Sequence, residues 1–182
     1  MKKRLVSFGE RDLSSVFVHI GTASESDLEE ILTLQKLAYI SEAEIYNDFS
    51  IPPLQQTLEE IRKEYNEKTF FKAVASGRIV GSVRANVADG ICCIGKLIVH
   101  PDYQNKGIGT TLMKHVEDHF KSCERYELFT GHKSEKNLYL YKKLGYMIFS
   151  REKVTENLEF VHLEKYGNGG KAAHDTVRQK DS

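Results

Sequence analysis

The chain has 182 residues, 40% of them hydrophobic, a size and composition suited to one domain with its own core. Basic and acidic residues number 26 each, which argues against a broad polyanion-binding surface and so against nucleic acid or anionic lipid as a general partner. The 3 cysteines, two of them adjacent at Cys92-Cys93, suit neither a disulfide framework nor a zinc site, and strand neighbours point to opposite faces. The N-terminal stretch "MKKRLVSFGERDL" has positive charge without the apolar region of a signal peptide, and no run approaches a membrane span. A cytoplasmic setting is expected.

No internal repeat is visible. "VFVHIG" (16–21) reads as a first strand, followed by a helix over 22–40 with Ser24 as N-cap and Asp27 three residues later. Over 41–56 the helical rhythm breaks, and Pro52-Pro53 marks a loop or broken helix. Thr57 and Glu60 form a capping box for a second helix with Leu58, Ile61 and Tyr65 inward. "TFFKAVASGRIVGSVRANV" is a hairpin around Ser76-Gly77, and "GICCIGKLIVH" is a third, central strand. A helix then buries Ile108, Leu112, Val116 and Phe120. "RYELFTG" (125–131) is another strand, and the helix "SEKNLYLYKKLG" starts at Ser134 and ends at Gly145. "YMIFSREKV" and "LEFVHLEKY" are the last two strands. The expected organisation is an N-terminal extension over 1–15, one domain over 16–165 and a polar, glycine-rich tail over 166–182.

Three phosphate-binding patterns compete for "QNKGIGTTL" (104–112). A P-loop puts its lysine after the second glycine, whereas Lys106 precedes Gly107. A dinucleotide fingerprint needs a third glycine where Leu112 stands, and an early βαβ unit. What remains is Gln104-x-x-Gly107-x-Gly109, with Thr110 beginning the helix. Glycines there let the backbone approach a ligand and aim N–H groups at it, with the helix dipole attracting an anion. The alternative is an ordinary glycine turn that opens a helix.

Taken with "LIVHPDYQNKGIG" (97–109) and "LYKKLGY" (140–146), the element order β-α-α-β-β-β-α-β-α-β-β resembles the GNAT acetyltransferase superfamily over roughly 16–165. The resemblance implies an α/β (α+β) fold: a mixed, mainly antiparallel, twisted sheet of about seven strands with about four helices. It implies acetyl-CoA as co-substrate, no metal, and a pyrophosphate resting on the backbone of Gln104, Asn105, Lys106, Gly107, Ile108, Gly109 and Thr110. The pantetheine arm would lie along Leu97, Ile98 and Val99 like an added strand, a backbone N–H there polarising the thioester carbonyl.

By the same resemblance Tyr141 stands where many members keep a tyrosine near the CoA sulfur, fit to protonate the departing thiolate. The alternative is core packing beside Leu138 and Leu144. Members often place an asparagine seven residues before that tyrosine; here Ser134 stands there and Asn137 lies four before it. The contact to the arm is thus open between the two, with Asn137 favoured and Ser134 as the cap. Members often draw a base from the central strand, where this chain has Lys96. Glu42, Glu44, Asp48 and His100 are the candidates, and the base is left unassigned. Glu42, Glu44, Tyr46 and Asp48 are expected on the acceptor side, their acids leaning toward a cationic acceptor.

His115 and His119 share a helix face, but the zincin glutamate is replaced by Val116, so a solvated face is expected. The expected function is acetyl transfer from acetyl-CoA directly to a primary amine: a small amine, a peptide N-terminus or a lysine. The alternative is a non-catalytic CoA-binding sensor or partner module of the same fold; transfer to a hydroxyl is a third option. The partners implied are acetyl-CoA and an amine acceptor, with no nucleic acid and no membrane, and self-association into a homodimer is left open.

Overall fold

The computed structural model describes residues 17–167, so the extension expected over 1–15 and the tail beyond Gly167 lie outside the described residues. After β1 (Val18–Thr22) the chain turns at Ser24, whose N–H and hydroxyl both donate to the Asp27 carboxylate (2.6 and 2.8 Å). One 3₁₀ turn leads into α1 (Leu28–Tyr46). The break expected at 41 comes later, because residues 41–46 hold no proline or glycine and Ala43 is fully buried. The helix stops at Asn47, which is left-handed with φ 50°.

Pro52-Pro53 opens a one-turn helix, α2 (Pro52–Gln55), since proline fits the first helical turn. That turn makes five helices among the described residues where about four were expected. Thr57 then caps α3 (Leu58–Glu67): its hydroxyl accepts the Glu60 N–H (3.2 Å) while the Glu60 carboxylate accepts the Thr57 N–H (2.7 Å).

β2 (Thr69–Ala75) and β3 (Arg78–Ala88) join through Ser76 and Gly77, both at positive φ (50° and 76°), as a tight hairpin requires. β4 (Ile91–Val99), α4 (Ile108–His119), β5 (Arg125–Gly131), α5 (Glu135–Lys143), β6 (Met147–Lys153) and β7 (Glu159–Tyr166) follow. The seven strands lie in the order β1-β2-β3-β4-β5-β7-β6. All pairs are antiparallel except β4 with β5.

Helices cover both faces. One core gathers Leu112, Met113 and Val116 of α4 and Tyr141 of α5 against Phe71, Val83 and Leu128. The other gathers Leu28, Ile31 and Leu34 of α1 and Ile61 of α3 against Phe70, Ile79 and Ile98. At Gly81 a β-carbon would stand 3.0 Å from Leu112 and 3.1 Å from Ile108, so the bare backbone lets α4 settle close on the sheet.

β4 holds one residue more than the strand opposite: Arg84 faces Gly95 while Ser82 faces Ile98. The bulge includes Lys96, at φ 50°. It reverses the alternation of side chains. Cys92 and Ile94 point into the α4 core, but beyond the bulge Leu97 and Val99 do so, and Ile98 turns toward α1. The parallel pairing of β4 with β5 lasts for Ile91↔Arg125, Cys92↔Tyr126 and Cys93↔Glu127. From there β4 stays with β3 and β5 with β7, and the sheet splits.

Beneath the bulge lies a buried ionic network. Arg84 is 2% exposed, hydrogen-bonds Gln35 and Gln56, forms an ion pair with Glu64, and sits over the Phe70 ring at 4.5 Å. Lys96 Nζ donates to Gln56 Oε1 (3.0 Å) and to both Glu64 oxygens (3.0 and 3.1 Å), and Lys68 Nζ stands 3.6 Å from Glu64 Oε1. Burial by itself would raise the Glu64 carboxyl; Arg84, Lys96 and Lys68 outweigh it and bring it from the ordinary 4.5 down to about 2.

Because this carboxyl is depressed in the folded protein, its stabilisation is complete above about pH 4.5 and is lost as the pH falls toward 2. Glu64→Gln leaves Arg84 buried without its counter-charge, and we expect a loss of about 3–5 kcal/mol at neutral pH, read as a lower urea midpoint. The gap between wild type and variant should shrink on acidification through that window. A gap that is absent at pH 7, or constant down to pH 2, contradicts this account.

Candidate functional site

Beyond the end of β4 the chain makes a turn shaped by two left-handed residues, Asn105 (φ 60°) and Gly107 (φ 81°). Gly107 is the N-cap of α4, and the first helical bond runs from the Thr111 N–H to the Gly107 carbonyl (2.9 Å). The N–H groups of Ile108, Gly109 and Thr110 therefore have no carbonyl within the helix and face outward at its positive end. Gln104 ties the turn to the strand by donating from Nε2 to the Val99 carbonyl (3.2 Å). Lys106 folds back, its Nζ donating to the Asp102 carbonyl (2.8 Å) and lying 5.2 Å from the Tyr103 ring centre.

The two glycines serve different ends. Gly107 has open space where a β-carbon would go but a backbone angle that favours glycine. At Gly109 a β-carbon would sit 3.4 Å from Leu140 and 3.8 Å from both Leu97 and Val99, against the wall where β4 leaves β5. Leu97 and Val99 are half-buried against the α4 core, and Ile98 is buried against α1. Among the described residues β5 does not pair with this segment, so an extended chain entering there meets a strand edge whose Val99 carbonyl is already engaged by Gln104.

α5 lines the other wall. Tyr141 is 7% exposed and packs 6.2 Å from the ring of Tyr146. Burial raises its phenol, and Tyr39 and Glu42 of α1 add to the effect. Tyr39 is pushed up to about 12 by burial, with Arg84 pulling down and Glu42 and Glu64 pushing up. Tyr39 thus feels the charges of the ionic network and in turn acts on Tyr141. α1 and α5 belong to opposite faces of the sheet, and they interact where the strands have parted.

The contacts between them are direct. Glu42 accepts from the Ser134 hydroxyl (2.5 Å) and from Asn137 Nδ2 (3.3 Å), while Asn137 also reaches Thr130 Oγ1 (3.4 Å). Tyr46 accepts the Lys133 N–H at its hydroxyl (2.8 Å), in a space that a β-carbon on Gly131 would close. Ser134 occupies the N-cap of α5 without capping it through its side chain. That corrects the role expected of it: its backbone (φ −78°, ψ 66°) departs from the extended conformation of a capping residue, and its hydroxyl is turned to donate to Glu42.

The remaining acids lie apart from this group. Asp48 binds the Ser50 N–H and hydroxyl (2.8 and 2.6 Å) in a local turn, and Glu44 is exposed. His100 Nδ1 accepts the Asp102 N–H (3.2 Å) at the strand end, a structural use. His115 and His119 pack edge-on against Phe71, at 5.2 and 5.1 Å, and among the described residues no group of three His, Cys, Asp or Glu is placed to hold a metal. No helix of the described residues is long and apolar enough to cross a membrane. The sequence reading missed Tyr39, Gln35, Gln56, Glu64 and Arg84. Arg84 was the available signal, since an arginine inside an apolar central strand needs buried partners.

The sheet thus splits beside a bulged strand, and a glycine turn next to it opens a helix. The chain belongs to the acetyltransferase (GNAT) family, whose model matches residues 29–146. A curated relative, the UPF0157 protein YqkA of Bacillus subtilis (strain 168), is 30% identical over 129 residues, 71% of this chain. The chain spans 37% of that relative's length. The ribosomal-protein-S18-alanine N-acetyltransferase of Escherichia coli superposes with a TM-score of 0.68 at 16% identity, covering 84% of this chain and 98% of that one. The PaiA N-acetyltransferase of Thermoplasma acidophilum, solved in complex with coenzyme A, does so at 0.62 and 21% identity, covering 82% and 99%. A spermidine N-acetyltransferase chimera from Vibrio cholerae SpeG and hSSAT gives 0.67 at 17% identity, covering 82% and 95%. At these identities the structural likeness establishes the fold.

The wall around Gly109 yields a test. Gly109→Val should fold, because its first added carbon meets only ordinary contacts, yet its methyl groups would narrow the split. We expect acetyl-CoA affinity by calorimetry to fall roughly tenfold or more, about 1.4 kcal/mol. Gly107→Ala should instead lose about 1–2 kcal/mol of stability through its backbone angle. Unchanged affinity in Gly109→Val would remove the split from the binding site.

Proposed function

We propose that the protein transfers the acetyl group of acetyl-CoA directly to a primary amine. The observation that carries the reading is the edge of β4 at Leu97–Val99 that β5 leaves unpaired, with Leu140, next to Tyr141 on α5, facing Leu97 and Val99 across Gly109. The residues fit the co-substrate. The outward amides of Ile108, Gly109 and Thr110 suit a pyrophosphate, with the neighbouring turn from Gln104 to Gly107 as its cradle. The backbone of Leu97, Ile98 and Val99 suits the amide-bearing arm, and Asn137 is close enough to the split to add a side-chain contact.

A backbone N–H at the bulge, aimed along the open edge, would polarise the thioester carbonyl as negative charge develops on its oxygen. Tyr141 keeps its proton in the resting protein and lends it to the sulfur as the carbon–sulfur bond breaks. Alignment of amine and thioester supplies much of the remaining rate, since a direct transfer needs no covalent enzyme intermediate. Neighbours named as N-acetyltransferases of a ribosomal-protein alanine and of spermidine support an amine acceptor. The free thiols of Cys92, Cys93 and Cys123 fit a reducing, cytoplasmic setting.

Thiol release from acetyl-CoA against spermidine, an N-terminal-alanine peptide and a lysine peptide, with mass detection of the acetylated product, tests the reading. Tyr141→Phe keeps the ring packing and removes one proton donor. Its turnover number should fall by about 10²–10⁴-fold. Acetyl-CoA affinity should change little, because the interaction strengthens only in the transition state. Stability should change by about 1 kcal/mol. A variant as fast as wild type, with chemistry rate-limiting, returns Tyr141 to a packing role.

A further inference from the structure

A direct transfer needs an acceptor for the proton that the amine gives up, and β4 does not supply one here. Lys96 occupies the bulge and is bonded to Gln56 and Glu64. Glu64 is engaged by Arg84 and Lys96 with Lys68 close by, and it is held at about 2, too weak a base to draw a proton from an amine. Asp48 is occupied by Ser50, and His100 by the Asp102 amide. Glu44 is exposed, while Glu42, two residues before it, is half-buried and bonded to α5.

Glu42 meets the geometric requirements. It projects from α1 to α5, where it accepts from Ser134 and Asn137, and both of these donors lie on the helix that carries Tyr141. Each donor bonds a different oxygen, Ser134 at Oε2 and Asn137 at Oε1, so the carboxylate plane is fixed while each oxygen retains a further lone pair. Its field reaches both phenols at the split, Tyr39 on its own helix and Tyr141 on the other.

Resting on the acetyl-transfer reading, we propose that Glu42 is the general base that takes the proton from the attacking amine. As the amine nitrogen bonds the carbonyl carbon, one N–H proton passes to a Glu42 oxygen. The carbon–sulfur bond breaks with its electron pair on sulfur, and Tyr141 protonates that thiolate. The proton on Glu42 then returns to the Tyr141 phenolate directly or through solvent, leaving both groups as they began. Ser134 and Asn137 are positioning residues in this scheme, holding the carboxylate toward the split.

The test uses the fastest acceptor among spermidine, the N-terminal-alanine peptide and the lysine peptide. Glu42→Gln keeps the shape and the hydrogen bond from Ser134 while removing the base. We expect kcat to fall roughly 10²–10³-fold with acetyl-CoA affinity within about twofold of wild type. Glu42→Ala opens space for a small carboxylate, and added formate should restore turnover in a saturable manner, a result that a purely structural contact would not give. Three results overturn the proposal: Glu42→Gln turning over within about threefold of wild type, acetyl-CoA affinity falling as far as the rate, or no rescue by formate. Failure of the wild-type protein to acetylate any of the three amines overturns the acetyl-transfer reading itself and this proposal with it.

Discussion

Everything at the site depends on β4 and β5 ceasing to pair after Cys93 and Glu127. A parallel pair inside a sheet ordinarily continues, since each unmatched backbone group in a buried setting costs free energy. Here the bulge at Lys96 and the inner pairing of β5 with β7 carry the two strands apart, and the sheet gives up part of its ladder. What it gains is an opening through which helices on opposite faces reach one another. Glu42 and Tyr39 approach Tyr141 from the other side of what would be a closed wall. The same bulge turns Leu97 and Val99 into the wall beside Gly109, so one extra residue sets both the passage and its lining.

The ionic network under the bulge is the counterpart of that opening. An arginine with 2% exposure is costly to bury unless its charge and donors are matched. Glu64, Gln35 and Gln56 supply the match, and they come from α3, α1 and the α2–α3 junction. Gln35 also donates to the Pro53 carbonyl (2.8 Å), so the proline segment is drawn to the same point. Lys96, from the bulge itself, completes the network. The side chain standing where an acid would be expected thus anchors the backbone distortion, and the reaction we propose draws its acid and base from α5 and α1.

Much of this was legible in the sequence. The strand runs, the Ser76-Gly77 hairpin, the Thr57–Glu60 cap and the glycine turn each have a local cause, and local causes can be read from neighbouring residues. α1 shows where that stops. Its inward stripe runs Leu28, Leu32, Gln35, Tyr39, Glu42, Tyr46, alternating steps of four and three, so the helical spacing never breaks. Its chemistry changes from apolar to polar midway, and a reading based on hydrophobicity loses the helix where it becomes most useful. Ser134 is a second case: its type and place imply a cap, but only the fold brings Glu42 within reach of it. Arg84 and Glu64 are twenty residues apart in sequence, and their pairing depends on how α3 lies across β3.

The split sheet also bears on how the protein holds itself together. Its two halves, β1 to β4 and β5 to β6, are hinged at three residue pairs and clasped at the far end by Tyr46 on Lys133 and Glu42 on Ser134 and Asn137. Such an arrangement is like a pair of tongs, and whatever lies between the arms joins them. A molecule that binds there, and not to the unfolded chain, adds RT ln(1 + [L]/Kd) to the folding free energy, about 2.7 kcal/mol at a hundred times Kd. If acetyl-CoA occupies the split as proposed, stability and occupancy are one variable, and the resistance of this fold to unfolding rises and falls with the supply of that molecule.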